Sequence, residues 1–314
     1  MNKVLVTAIG SFSAEAVIDT LIENKFEVIG CDIYPKEWHF LSKKIKNFYQ
    51  VPSTAQEKDY VEKILKICLD ENINIIIPST DLDVDIFNKN KEIFEKENVN
   101  IYIQNKKALE ISRDKYKLYK TFLNSHIHVI PTLEYKEIET LENFPYIAKP
   151  KNGRSSEGVL QINKIKDLEK IEDKDKDNYI IQEYINGSII VADYIRDKKN
   201  NKDFSIVRKE LIRTKNGAGI VVEMHQNKKI SDICSYIGNE LDINGCICIE
   251  FIEKGNEYYV MDINPRFSAG VAFSKKIGYE VVKNHLKCFM GIEIDEPINI
   301  PTKIISKRYI EEIL

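Results

Sequence analysis

Residues 246–268 read Cys-Ile-Cys-Ile-Glu-Phe-Ile-Glu-Lys-Gly-Asn-Glu-Tyr-Tyr-Val-Met-Asp-Ile-Asn-Pro-Arg-Phe-Ser. The alternation from Cys246 to Phe251, the turn at Lys254-Gly255-Asn256 and the run from Tyr258 to Asn264 predict two neighbouring strands. Asp262 and Asn264 stand two apart, so they project from one face about 7 Å apart along it. Glu250 lies on the preceding strand. Two carboxylates and an amide oxygen form a hard-oxygen set that suits magnesium, with phosphate oxygens completing the octahedron. A buried acidic pair without a cation is costly, so the alternative is that these groups are exposed. Met261 and Ile263 read as buried, which leaves Asp262 and Asn264 able to face solvent. Arg266, just after Pro265, is placed to complement charge moving through phosphates.

Upstream, Tyr146-Ile147-Ala148-Lys149-Pro150 is a strand ending in lysine and proline. It runs into Lys151-Asn152-Gly153-Arg154-Ser155-Ser156-Glu157-Gly158-Val159, a polar loop bracketed by glycines. Glycine lets backbone N–H groups turn towards an anion, hydroxyl residues add donors, and Lys149 can put a point charge on a phosphate. Taken alone, such a loop also fits an ordinary hairpin. Ile180 to Ile185 is an apolar strand that breaks at Asn186-Gly187; its backbone could serve adenine in an apolar slot.

The first hundred residues alternate strand and helix signals, the pattern of a parallel sheet covered by helices. Strands are expected at Val4 to Thr7, Phe26 to Asp32, Ile73 to Ile77 and Ile101 to Ile103. Helices are expected at Ala14 to Asn24, Glu57 to Glu71 and Ile86 to Glu97. The turn from Thr7 to Ser13 has one glycine where the dinucleotide fingerprint needs three, so nicotinamide binding is disfavoured. Helices at Lys106 to Ile111 and Lys115 to Asn124 are followed mostly by strands, until helices near Ile230 to Leu241 and Glu280 to Met290. Residues 163–178, dense in both charge signs, read as solvated helix and loop.

A hydrophobic content of 43% and a charged content of 30% over 314 residues describe a soluble chain of about two domains. The net charge of −3 offers no basic surface for nucleic acid or anionic membrane. The opening residues are too short and polar for a signal peptide, and no apolar run approaches the roughly 20 residues of a membrane span, so a cytoplasmic location is expected. The Cys246/Cys248 and His126/His128 pairs read as structural, since no second ligand pair follows at zinc spacing.

In this order, the segments resemble the ATP-grasp superfamily, nearest to the carbamoyl-phosphate synthetase large chain and the small amino-acid ligases built like it. Val4 to Gly10 and Ile75 to Asp81 resemble its N-terminal domain. Ser112-Arg113-Asp114-Lys115 and Ile147-Ala148-Lys149-Pro150 are similar to its two ATP-lysine motifs. Gln182-Glu183-Tyr184-Ile185 is similar to the adenine hinge, and Asp262 to Ser268 to the metal and phosphate signature, commonly written with Glu first. The resemblance implies an α/β chain, α+β in its C-terminal half. A doubly wound pre-ATP-grasp domain is expected at 1–105 and an ATP-grasp domain at 106–314, the latter divided into a small mobile lobe of about 115–182 and a C-terminal lobe of about 183–314. ATP would lie between the two lobes.

It further implies that Lys115 and Lys149 hold phosphates while the loop from Gly153 to Gly158, with Ser155 and Ser156, closes over them. Glu183 and Ile185 would offer backbone to adenine within Gln182–Ile185. Ser188 stands where the family often has a ribose-binding glutamate. Glu250, Asp262 and Asn264 would bind two Mg²⁺, for which Mn²⁺ can substitute, and Arg266 and Arg213 would contact the γ-phosphate or acyl phosphate. The implied reaction is ADP-forming ligation: a carboxylate is phosphorylated and an amine displaces phosphate. The expected partners are a small-molecule carboxylate and an amine, with amino acids among the candidates and no nucleic acid or membrane. Related enzymes are often homodimers. A kinase that stops at a phosphorylated product and a non-catalytic nucleotide-binding protein are the alternatives. Arg213, on the segment from Ile206, can grip a carboxylate with a two-pronged fork. Asp81, after the third strand of the N-terminal sheet, is the candidate for a substrate ammonium group, with Ser268 and Gly270 lining the floor. A helix-capping role for Asp81 remains the alternative.

Overall fold

A computed structural model describes residues 2–138, 140–154 and 156–309. The N-terminal sheet is parallel throughout, in the order Asn47–Gln50, Glu27–Asp32, Lys3–Val6, Ile75–Ile77 and Asn100–Ile101. Its side chains divide by the two-residue period of a strand. Val4 and Val6 pack under the helix Ala14–Glu23, whereas Leu5 packs on the other face with Tyr60 and Ile64 of Glu57–Glu71 and Phe87 of Asp81–Lys96. Helices on both faces are what short, continuously apolar parallel strands require. The strand Asn47–Gln50 was not expected: it is a half-exposed edge strand without an apolar run.

A four-stranded antiparallel sheet follows, in the order Thr132–Glu134, Tyr179–Glu183, Tyr146–Pro150 and Leu160–Ile162. Ala148, Ile162, Leu168, Ile171 and Ile181 form its own small core. The charged stretch 163–178 forms two 3₁₀ turns, Ile165–Lys170 and Asp173–Asn178. The helix Lys115–Phe122 was expected with this lobe. It instead buries Leu118 and Phe122 in the core of the larger sheet, so apolar burial joins it to that sheet.

The larger sheet has seven strands: Lys303–Ser306, Gly219–His225, Lys202–Arg213, Ser188–Asp197, Gly245–Lys254, Glu257–Asn264 and, parallel at the edge, His128–Val129. Ile247, Ile249 and Phe251 face the helix Lys228–Glu240. Cys246 faces oppositely, with Ile206 and Val222, towards Val281–Met290 and the N-terminal domain. The core on this side runs without a break from Val4 to Leu286. Among the described residues no helix is long and apolar enough to cross a membrane.

Candidate active site

Alternation makes Cys248 and Glu250 point away from the helix-packed face of their strand, because Ile247, Ile249 and Phe251 occupy that face. Uninterrupted alternation on the next strand would give the wrong parity. Tyr258 and Val260 are buried on the helix side, so Asp262 and Asn264 would follow them there. A bulge corrects this: Phe251 pairs with Val260 but Glu250 pairs with Asp262, and Met261 is the extra residue. Met261 therefore lines the cavity, contrary to the buried position expected for it, while Ile263 is buried as expected. Asp262 and Asn264 turn to the face of Glu250 and Cys248. A second irregularity, between Glu210 and Arg213, returns Arg213 to the face of Arg208 and Glu210.

These side chains line one cavity of about 680 Å³, together with Lys115, Lys149, Gly153, Ser156, Arg266, Ser268, Gly270 and, from the N-terminal domain, Gly10–Ser13 and Ser79–Leu82. Acids and bases are interleaved in it. The Lys115 ammonium lies 3.2 Å from Asp262 Oδ2 and donates to Gly153 O, linking the polar loop to the large sheet. Arg213 donates to Glu250 Oε2 at 3.1 Å and to Gly217 O at 3.0 Å. Asn264 donates to Glu250 Oε1 at 3.1 Å. Burial raises the pKa of Glu250, and neighbouring Asp262 and Glu210 add to the rise against the pull of Arg213. Burial also drives the Lys149 ammonium down to about 8.

No group of three His, Cys, Asp or Glu side chains suited to a metal occurs among the described residues. The oxygen set here is two carboxylates plus the amide of Asn264. A carboxylate whose pKa is raised by burial and by neighbouring acids, as for Glu250, belongs to a donor set that a hard cation relieves.

Asp81 departs from expectation. Its carboxylate accepts from Arg266 at 2.8 Å and lies 3.8 Å from Arg113, in a residue only 3% exposed. Burial pushes its pKa up, but Arg266 and Arg113 outweigh this and hold it below the usual range. An acid so matched by two guanidinium groups is poorly suited to grip an ammonium. Nor does it cap the helix: Thr80 does, its hydroxyl accepting from Asp83 N–H. Arg266 also donates to Phe267 O and Asn264 Oδ1, so it ties the N-terminal domain to the oxygen set.

The loop glycine Gly158 has φ +69°, and Ser156 also adopts positive φ; a side chain at Gly158 would meet the Tyr179 hydroxyl at 2.7 Å. Ser155 lies outside the described residues. Gln182, Glu183, Tyr184, Ile185 and Ser188 do not line this cavity. Gln182 is buried and donates to Thr132 Oγ1, and the N–H groups of Glu183 and Tyr184 donate to Pro131 O and Pro145 O. The segment joins the four-stranded and seven-stranded sheets, with Ser188 opening its strand in the larger one.

The sequence reading missed Arg208, Glu210 and Asp193. Arg208 is 1% exposed, donates to Asp193 Oδ2 at 2.8 Å and Ser268 Oγ at 3.0 Å, and lines the cavity floor. A side chain at Gly270 would come within 2.8 Å of this guanidinium. The available signal was Ile206, Arg208 and Glu210 at period two.

Residues 112–270 match the ATP-grasp domain family, and residues 8–102 match the PylC-like N-terminal domain. Over 57% of its length the chain is 27% identical to D-alanine–D-alanine ligase of Petrotoga mobilis, covering 69% of that protein. It is 26% identical over 93% of its length to the carbamoyl phosphate synthase large chain of Thermoplasma volcanium, of which it spans only 30%. A biotin carboxylase–β,γ-ATP complex from Campylobacter jejuni shares the fold, with a TM-score of 0.77 at 18% identity over 97% of this chain and 75% of that one.

Proposed function

The chain belongs to the ATP-grasp family, and we propose that it is an ADP-forming ligase that activates a small carboxylate with MgATP and joins it to an amine. The observation that carries this reading is the single cavity face on which Glu250, Asp262 and Asn264 meet Lys115, Lys149, Arg213 and Arg266. Lys149 and Lys115 would hold nucleotide phosphates, and Gly153–Gly158 would cover them. The hinge at Gln182–Ile185 would border the adenine, with the Ile185 N–H available to it. Glu250, Asp262 and Asn264 would hold Mg²⁺, which supplies charge neutralisation to the transferred phosphoryl group. Arg266 and Arg213 would orient the reacting carboxylate and stabilise the charge it gains. No side-chain nucleophile is required; positioning and exclusion of water carry the chemistry. We further assign residues 1–105 to a unit that closes the substrate end and 106–314 to the ATP-grasp unit, in keeping with the two family matches.

An ADP-release screen of small carboxylates and amino acids, singly and in pairs, tests the reading. ADP and phosphate formed only when carboxylate and amine are both present support ligation. A phosphorylated product formed without an amine makes the enzyme a kinase. Release from no pair overturns the ligase.

A further inference from the structure

Resting on the ligase reading, we propose that the wall contributed by the N-terminal domain is an oxyanion subsite, which holds a carboxylate or phosphate group carried by the amine substrate. Two helices begin at this wall: Ala14–Glu23 follows Gly10–Ser13, and Asp81–Lys96 follows Ser79–Thr80. Helix N-termini present unpaired N–H groups and a partial positive charge. At the first, Ser13 makes no side-chain cap, and the N–H groups of Phe12 and Ser13 make no hydrogen bond among the described residues.

The independent observations are two buried polar atoms. Ser79 is 4% exposed and lines the cavity, yet its hydroxyl has no hydrogen-bond partner. Nε of Arg208, on the cavity floor, also makes no hydrogen bond, although Glu210 Oε1 lies 3.5 Å from it. Unpartnered buried donors call for an acceptor. Nearby acids are matched by bases or donors, although Asp81 Oδ1 makes no hydrogen bond and only faces the Arg113 guanidinium at 3.8 Å. Asp32 accepts from Gly10 N–H and Tyr34 N–H, Asp81 from Arg266, and Asp83 from Thr7, Tyr60 and Thr80, while Glu15 pairs with Lys44. The donors left over favour an anion where the sequence had suggested an ammonium site. An acceptor amine anchored here by its anionic end would reach towards Arg266 and the oxygen set across the same cavity.

Thermal melts and calorimetry with inorganic phosphate and with malonate, on protein saturated with MgADP, test this without turnover. Wild type is expected to bind at least one of the two. Ser79→Ala, and Ser11→Asp on the half-exposed loop, should each weaken that binding about tenfold while leaving MgADP binding unchanged. Preference for phosphate identifies a phosphorylated amine, and preference for malonate identifies an amino acid. Binding of neither anion, or equal binding by wild type and both variants, overturns the subsite. If MgADP fails to bind, the ligase reading falls, and the anion titration without nucleotide still judges the subsite. For a productive amine found in the ADP screen, replacing its anionic group by an amide should raise KM about tenfold with little change in kcat; an unchanged KM also overturns the proposal.

Discussion

Raising the pH should weaken nucleotide binding through one side chain, Lys149. Burial lowers its pKa from 10.5 to about 8; Asp262 and Glu250 oppose the shift and Lys115 adds to it. A lysine that holds a phosphate must be charged, and the phosphate in turn restores the pKa towards its ordinary value. Above pH 8 the free protein loses the competent protonated form tenfold per pH unit, whereas the complex keeps it. The Kd for MgADP should therefore rise about tenfold between about pH 7 and 9, equivalent to about 1.4 kcal/mol. Calorimetry in buffers of different ionisation enthalpy measures both the affinity and the proton taken up. Lys149→Arg stays charged throughout and should bind with a flat profile. A flat wild-type profile, or the same slope in Lys149→Arg, refutes the reasoning. Stability carries the complementary sign. Between about pH 8 and 10.5 the unfolded chain binds more protons at this site than the native one, so the nucleotide-free protein gains stability across that window relative to Lys149→Met.

Asp262→Asn should reduce turnover to background. It unpairs the buried Lys115 ammonium but relieves the repulsion with Glu250, so chemical melts should show only a modest loss, about 1–2 kcal/mol; near-normal turnover removes Asp262 from the metal site. Arg213→Lys loses the two-pronged grip, and kinetics should show about a tenfold higher carboxylate KM or lower kcat, with a much smaller change for ATP. The opposite split makes Arg213 a nucleotide residue. In Gly187→Ala the new methyl would lie 2.3 Å from Glu253 O, a backbone clash expected to destabilise the hinge by about 2 kcal/mol in denaturant melts; wild-type stability would show that the hinge gives way freely. ADP should bind at least about tenfold more weakly with a chelator than with Mg²⁺, and equal affinities by calorimetry would rule out the oxygen set as a metal site.

The sequence carried the alternating N-terminal third and the two strands around Lys254-Gly255-Asn256, because periodicity and turn residues are local. Glu57–Glu71 even begins and ends where its apolar face predicts. It did not carry parity through the bulge at Met261. Asp262 reaches the cavity because a local register shift reverses the alternation, and no residue type announces that shift. Arg208 was hidden for a different reason. A buried arginine matters through Asp193, Ser268 and Gly270, which come from three other segments of the chain. The pairing of Asp81 with Arg113 and Arg266 was hidden on the same ground, since these partners lie far away in sequence.

The pairing of charges also bears on how the proposed site would work. Asp262 is matched by Lys115, and Glu250 by Arg213 and Asn264. Each cation in these pairs belongs to the set proposed to hold anionic ligands, Lys115 the nucleotide phosphates and Arg213 the reacting carboxylate and its acyl phosphate, and each acid belongs to the proposed metal-binding set. A phosphate entering alone would draw Lys115 or Arg213 away and leave a partly buried carboxylate unmatched, which is costly. A metal entering alone would leave a lysine or an arginine without its acid. Entering together, they exchange partners: acids pass to the metal and bases to the phosphates, and no buried charge is stranded. The interleaving would thus couple the two ligands through electrostatics, without need of a conformational relay. Arg266 extends the exchange to the substrate end. It is shared between Asp81 and Asn264, so a change at the oxygen set is felt directly at the wall where the amine is proposed to dock.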